Sequence, residues 1–449
     1  MSKVVKLKKG LSIRMEGAAE KVLAKAPASE NYAVKPSDYK GLVPRLCVRQ
    51  GDAVKAGTPV FVDKNRPEIR FVSPVSGTVT AINRGERRKL LEVQIKADTE
   101  QISEKYEITE STLKSRDLIV ETMLNAGLWP MVIQRPYGII ANPADKPKAI
   151  FVSGFDTAPP LLDIDFMISG QEEHFKKGIN VLAKLTDGKV HLGLSADDYA
   201  SKLNKIKNVE VNIFSGKHPA GNVGVQIHHI DPINKGDTVW TLDAQHVVTL
   251  GRFFSTGVYG GGRVIAICGS KVKRPQYLHA IEGVSISAFA DMIDHTGNVR
   301  YISGNILTGE SIGRDGYLGY YANRLTVIPE GDNCEFLGWA MPRLKKFSAS
   351  KSYFSWLMPG REYALDTNLN GGERAFVVSG QYEKVLPMDI YPVYLLKAIL
   401  AENIDRMEQL GIYELIEEDL ALCEFVCTSK IEVQSILRRG IELMIKEMN

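Results

Sequence analysis

The chain of 449 residues is 44% hydrophobic and 24% charged, enough apolar content to bury several domain-sized cores without disulfide staples. Its 56 Lys and Arg stand against 53 Asp and Glu, a net charge of +3 that argues against a dominant polyanion-binding role. No window supplies the roughly 20 apolar residues of a membrane-spanning helix, no apolar stretch follows the basic start, and five scattered cysteines make no disulfide framework, so a cytosolic setting is expected.

Residues 43–95 alternate short β-rich runs with glycine and proline turns, which predicts a small all-β unit. Its two arms, Q-G-D-A-V-K-A-G-T-P-V and S-P-V-S-G-T-V, resemble the halves of a biotinyl/lipoyl-like barrel-sandwich hybrid. Lys64 stands between them where such carriers bear a modified lysine, but the following Asn65, Arg66 and Pro67 depart from that pattern. From about residue 106 the texture changes. Ser111–Ala126 reads as a helix stopped by Gly127, Ala149–Phe155 as a buried strand and Glu172–Leu185 as an amphipathic helix. Val190–Leu194, Asp197–Lys207 and Val209–Phe214 follow as strand, helix and strand, so the order predicts a Rossmann-like parallel sheet. The loop after its first strand, S-G-F-D-T-A-P-P, has neither phosphate-binding glycine pattern. The glycine-rich stretch Gly257–Arg263 reads as a turn into a mixed α/β unit over 264–330 that suits a β-grasp fold, with E-G-V-S-I-S-A-F-A (282–290) strand-like. The tail from about 385 is helical. The expected fold class is therefore multidomain α/β: a β domain over 1–105, a Rossmann-like domain over 106–255, a β-grasp-like domain over 256–335 and a mainly helical domain over 336–449.

Few constellations carry chemistry. His228 and His229, the one close histidine pair, would point to opposite faces of a strand, which speaks against a metal site. Acidic pairs such as Asp163/Asp165 and Asp197/Asp198 suit helix caps and loops. Asp156 ends a predicted parallel strand, where open α/β sheets bind ligands, which makes it a better candidate than those pairs; the structural alternative is an Asx-turn. Basic clusters at Lys3–Lys9, Arg87–Lys89 and Arg343–Lys346 read as solvated faces, and no nucleic-acid partner is expected. Cys423 and Cys427, in C-E-F-V-C-T-S-K-I, look like the end of an iron–sulfur motif. At that motif's spacing the other ligand positions fall on Leu420 and Glu417, which cannot complete a [4Fe–4S] site, so the two cysteines read as vestigial.

Taken together, K-G-L-S-I near the start, F-V-S-P-V-S-G-T-V-T-A-I (71–82), A-G-L-W-P-M-V-I-Q-R-P-Y (126–137), A-I-F-V-S-G-F-D-T-A-P-P (149–160), Y-I-S-G-N-I-L-T-G (301–309) and the C-E-F-V-C tail resemble the NqrA family over essentially the whole chain. Members of that family are components of the sodium-translocating NADH:quinone oxidoreductase, and their order of modules is similar to the RnfC family and to the flavin-bearing subunit of respiratory complex I. Those relatives hold flavin on G-G-A-G-F-P-T, whereas here Ala126-Gly127 is followed by Leu128-Trp129-Pro130. The resemblance implies a peripheral subunit on the cytoplasmic side of the membrane, without flavin, cluster or complete active site of its own. Its partners would be the other five subunits, which would carry the flavins and the iron–sulfur centre. It also implies an apolar, quinone-proximal cleft formed by Gly127, Leu128, Trp129, Pro130 and Phe155, with Asp156 at its rim. A pure scaffold, a redox protein of the RnfC kind and a carrier acting through Lys64 remain alternatives.

Overall fold

The computed structural model describes residues 4–197, 201–332, 336–338 and 341–448; Asp198 and Cys334 lie outside the described residues. Residues 31–97 form two antiparallel sheets. Asn31–Val34, Leu90–Ala97, Gly77–Arg84 and Ala53–Val54 make one, and Pro44–Leu46, Pro59–Asp63 and Arg70–Val72 the other. Alternating residues point inward, so Val60, Val79, Val93 and Ile95 are buried and Phe61 stacks on Phe71 at 5.0 Å. Lys64 is exposed on the connection after Pro59–Asp63.

A separate sheet has seven strands. Val4–Lys6, Glu210–Ser215, Lys189–Ser195, Ala149–Ser153 and Val239–Asp243 run parallel, and Ile133–Arg135 and Ile139–Ile140 close the edge antiparallel. The strand Ala149–Ser153 is an unbroken apolar run because both faces are covered. Ile150 and Val152 face the main core with the helices Glu172–Leu182 and Ala244–Thr256, whereas Ala149 and Phe151 face the core of the C-terminal helices.

A further sheet of six strands takes the order Glu310–Ile312, Val299–Ser303, Arg324–Pro329, Gly262–Cys268, Gln276–Ile281 and Glu20–Lys25. Residues 1–105 thus do not stay in one sheet, since Val4–Lys6 joins the parallel sheet and Glu20–Lys25 pairs with Gln276–Ile281. The C-terminal helices Pro392–Leu400, Ile404–Gln409, Glu417–Phe425 and Val433–Met448 close the second face of the parallel sheet.

Three expectations need correction. Within 201–207 there is only a 3-10 turn, Lys202–Lys205, initiated by the Ser201 hydroxyl accepting from the Leu203 amide at 3.1 Å; the rest of the expected helix is a turn at Asp197 and undescribed residues. The strand-like stretch at 282–290 runs instead into a 3-10 helix, Ile286–Met292, whose Ile286 and Phe289 are buried with three-residue spacing. His228 and His229 lie on the helix Val223–Ile230, not on a strand.

Candidate functional site

The short helix Trp129–Met131 precedes the antiparallel strand Ile133–Arg135, whose register puts Ile133 opposite Thr241. The turn at 127–131 therefore lies at the carboxyl ends of the parallel strands, where the parallel sheet, the barrel and the six-stranded sheet meet. Gly127 begins it with φ +69°, and a Cβ there would stand 2.3 Å from Val72 Cγ1, so the barrel approaches the turn more closely than any side chain allows. Leu128 and Trp129 are fully buried. The Trp129 indole donates to Ala141 O at 2.8 Å and meets Trp240 edge-on at 5.4 Å, so this bulk fills the core behind the turn. Pro130 O accepts from the Tyr321 hydroxyl at 2.6 Å.

The junction is stitched by buried and partly buried polar groups. Asp243 caps the helix Ala244–Thr256 by accepting from the Gln245 amide at 2.8 Å, and its second oxygen accepts from Asn323 Nδ2 at 2.7 Å. Gln245 donates to Val264 O at 2.6 Å and accepts from the Val264 amide at 2.8 Å. Arg263 donates to Tyr320 O and Asn323 Oδ1, and the Tyr320 amide donates to Asp38 at 2.9 Å, which ties in the barrel through Lys35 at 3.2 Å. His246 stacks on Tyr320 at 5.4 Å, its Nε2 without a partner among the described residues, and burial, aided by the Arg263 charge, lowers its pKa to about 4, which favours the neutral ring at pH 7.

Between barrel and six-stranded sheet these residues leave a cavity of about 20 Å³, close to the volume one water needs. Gly127 and Pro130 line it together with Lys35, Asp38, Tyr39, Phe71, Tyr259, Glu282 and Tyr320. Glu282 is 6% exposed and its carboxyl has no hydrogen-bond partner among the described residues. Burial pushes that carboxyl up to about 7 against the pull of the Arg263 and Arg252 guanidinium groups. With its pKa raised by burial, this carboxyl, set among the buried Tyr39 and Tyr259 and the partly buried Tyr320 and Tyr321, can give or take a proton near neutral pH.

Phe155 and Asp156 are not part of this cavity. Phe155 packs with Phe214, Val5 and Ala220 in a small separate cluster. Asp156 forms the Asx-turn, accepting from the Ala158 amide at 3.0 Å, and also accepts from the Leu162 amide at 3.1 Å and from Arg324 at 2.5 Å. Arg324 donates onward to Ala158 O at 2.9 Å and to Pro160 O, so this carboxylate anchors the loop after its strand to the six-stranded sheet. Of the six residues expected at one cleft, the structure brings Gly127 and Pro130 to a cavity, puts Leu128 and Trp129 behind it, and leaves Phe155 and Asp156 elsewhere.

Cys423 and Cys427 are buried on and just after the helix Glu417–Phe425. The Tyr382 hydroxyl donates to Cys427 Sγ at 2.9 Å, the Ile431 amide does so at 3.4 Å, and burial drives the Cys423 thiol far above its usual range. Leu420 is core, and Glu417 is gripped by Arg438 at 2.5 Å and 2.6 Å and by Lys40 at 2.9 Å. Two buried thiols packed against a tyrosine, with a leucine and an ion-paired carboxylate at the remaining positions, do not fit an iron–sulfur cluster. The turn at 127–131 does not fit a flavin either, because the Val72 side chain stands against Gly127 where a flavin would need bare backbone.

Sequence reasoning missed Glu282, Tyr259, Tyr320, His246 and Asp243. The helix starting at Ala244 was detectable, since Asp243 is an N-cap residue and Gly257, with φ +68°, a stop 14 positions later. Nothing in the order of residues brings Glu282 toward Gly127.

These features define an α/β protein with an N-terminal barrel-sandwich hybrid folded against a parallel sheet, a mixed sheet and a helical cover. Family comparison agrees, matching residues 5–98 to the NqrA N-terminal barrel-sandwich hybrid domain, 114–259 to the NqrA second alpha/beta domain and 264–313 to the NQRA C-terminal domain. Over its full length the chain is similar to curated NqrA subunits of the Na(+)-translocating NADH-quinone reductase. That of Photorhabdus laumondii is 37% identical over 99% of this chain and all of the relative. That of Neisseria meningitidis serogroup C matches at 37% over the same shares, and that of Yersinia pestis bv. Antiqua at 38% over 97% and 98%. A solved NAD+-reducing [NiFe]-hydrogenase chain overlaps only loosely, at TM-score 0.38 and 13% identity, covering 75% of this chain and 62% of that one. The chain belongs to the NqrA family of the Na+-translocating NADH-quinone reductase.

Proposed function

We propose that this chain works as the peripheral NqrA component of a sodium-translocating NADH:quinone oxidoreductase, on the cytoplasmic side, and that it serves the quinone-reducing step without a redox group of its own. The other five subunits carry the flavins and the iron–sulfur centre. The chain's domains then correspond to a Rossmann-like unit, a β-grasp-like unit and a ferredoxin-like helical unit whose cofactor grips have been replaced. Supporting this are the covered turn at Gly127–Pro130 and the tyrosine-held thiols of Cys423 and Cys427. The absence of any described helix long and apolar enough to cross a membrane agrees with a peripheral position.

One observation carries the quinone reading: a buried carboxyl, Glu282, without a hydrogen-bond partner among the described residues, lining a tyrosine-rich cavity at the carboxyl ends of the parallel strands. A quinone ring is far larger than the present cavity, so it enters as the barrel and the six-stranded sheet part around Tyr39 and Tyr320. There Glu282 and the tyrosine hydroxyls face the ring oxygens, and Phe71 its face. Titrating a water-soluble quinone analogue against wild type and Glu282→Gln tests this. We expect saturable binding that weakens about ten-fold in the variant, with slower amide exchange across residues 33–39 and 318–321 on binding. Equal affinity in both chains without that protection removes the quinone assignment and favours a purely scaffolding role.

A further inference from the structure

Residues 341–361, M-P-R-L-K-K-F-S-A-S-K-S-Y-F-S-W-L-M-P-G-R, contain five basic residues and no carboxylate, the next being Glu362. This short stretch carries more positive charge than the whole chain's net +3. Its apolar side chains are turned outward: around the turn Phe354–Leu357, Phe354 is 52%, Trp356 50% and Leu357 59% exposed, and Met358 continues the row.

This face is held from beneath. Tyr353 and Ser355 alternate with the exposed residues and are buried, and Ser355 O accepts from the Tyr363 hydroxyl at 3.2 Å. The Phe347 ring lies against Tyr363 at 5.8 Å and Phe425 at 5.9 Å, on the helical core, and the Tyr363 backbone exchanges hydrogen bonds with Arg14 and Glu16. The protein thus spends buried contacts on a turn that presents four large apolar side chains to water, which a surface with no partner has no reason to keep.

We propose that residues 341–361 rest on the surface of an anionic phospholipid bilayer, with Phe354, Trp356, Leu357 and Met358 in the headgroup layer and Lys345, Lys351 and Arg361 over the lipid phosphates. The chemistry favours lipid over an acidic protein. Lys351 Nζ lies 6.0 Å from the Trp356 ring, so cation and amphipathic indole reach the same depth, as interfacial anchors do. The apolar residues protrude from a turn instead of forming a helix face or strand edge that a partner protein could pair with. A positive surface beside a negative leaflet is drawn in and turned the right way by charge, then retained by apolar insertion.

Flotation of the full-length chain with vesicles of phosphatidylcholine alone, or with about 30 mol% phosphatidylglycerol, tests the assignment. Wild type should partition about ten-fold more strongly onto the anionic vesicles, lose most of that at high salt, and shift its tryptophan emission to the blue. Phe354→Ser/Trp356→Ser and Lys345→Glu/Lys351→Glu should each lose about ten-fold while keeping the wild-type melting temperature, and Trp356→Phe should bind yet lack the emission shift. Failure of wild type to float with either vesicle overturns the proposal. So do variants that float like wild type, or variants that bind vesicles normally but no longer co-purify with the assembled reductase, which would make this a protein interface.

Discussion

A single carboxyl dominates the chemistry of the buried junction. Glu282 keeps its proton to about pH 7 in the fold, whereas an unfolded glutamate releases it near 4.5, so ionisation opposes folding as pH rises through that window. Stability present below pH 4.5 is lost towards pH 7 and above, by up to about 3 kcal/mol for this group. Glu282→Gln should therefore gain about 2–3 kcal/mol over wild type in denaturant titrations at pH 8 and nearly nothing at pH 5. Glu417 has the opposite sign: against the cost of burial, Arg438 and Lys40 hold it at about 2, so its contribution is complete above pH 4.5 and fades only in strong acid. The thiols make a second test. In a Cys334→Ser background, the native chain should react with a thiol reagent at the exposed Cys47 alone, with Cys268, Cys423 and Cys427 released only on unfolding. Sequence spacing singled out the cysteine pair and the positions of Leu420 and Glu417. That Tyr382 would sit against Cys427, 45 residues away, or Lys40 against Glu417, 377 residues away, comes from tertiary packing and leaves no local trace.

Elements read well where pattern and punctuation agreed. The helix stopped by Gly127 and the C-terminal helix opened by Pro392 pair apolar spacing with a glycine or a proline, and the strand Ala149–Ser153 and the helix from Glu172 show in their apolar pattern alone. Reading failed where tertiary contacts outweighed local pattern, as at Ile286–Met292, whose apolar residues serve a 3-10 turn. The turn at Gly127 is the most demanding element: Gly127→Ala must adopt φ +69° and push against Val72, so we expect a loss of about 1–3 kcal/mol, seen as a lower melting temperature. A second element-level lock joins the edge strand to the C-terminal cover. Arg135 donates to Asp419 at 2.6 Å, with both side chains essentially inaccessible, and to Glu418 at 2.5 Å. Gly224 makes room for it, since a Cβ there would lie 2.2 Å from Asp419 Oδ1. Arg135→Met should cost about 3–5 kcal/mol by stranding a buried carboxylate, and adding Asp419→Leu should recover most of that in the same unfolding assay.

At the scale of the molecule, the broad α/β plan and the barrel-sandwich hybrid were legible because turn residues and strand alternation are local properties. The sharing of strands between sheets was not, because Val4–Lys6 and Glu20–Lys25 are too short to declare their partners. The candidate site divided along the same line. Gly127 and Pro130 were found through the motif they replace, whereas Glu282 and the tyrosines enter from four separate stretches of chain.

The strand Val4–Lys6 has a consequence for biogenesis. It cannot dock until Glu210–Ser215 has been translated some two hundred residues later, and Glu20–Lys25 must wait longer still for Gln276–Ile281. At ribosomal speeds of roughly 5–20 residues per second, these early segments wander for about ten seconds to a minute after they emerge. A chaperone or a neighbouring nascent chain has that interval in which to claim them.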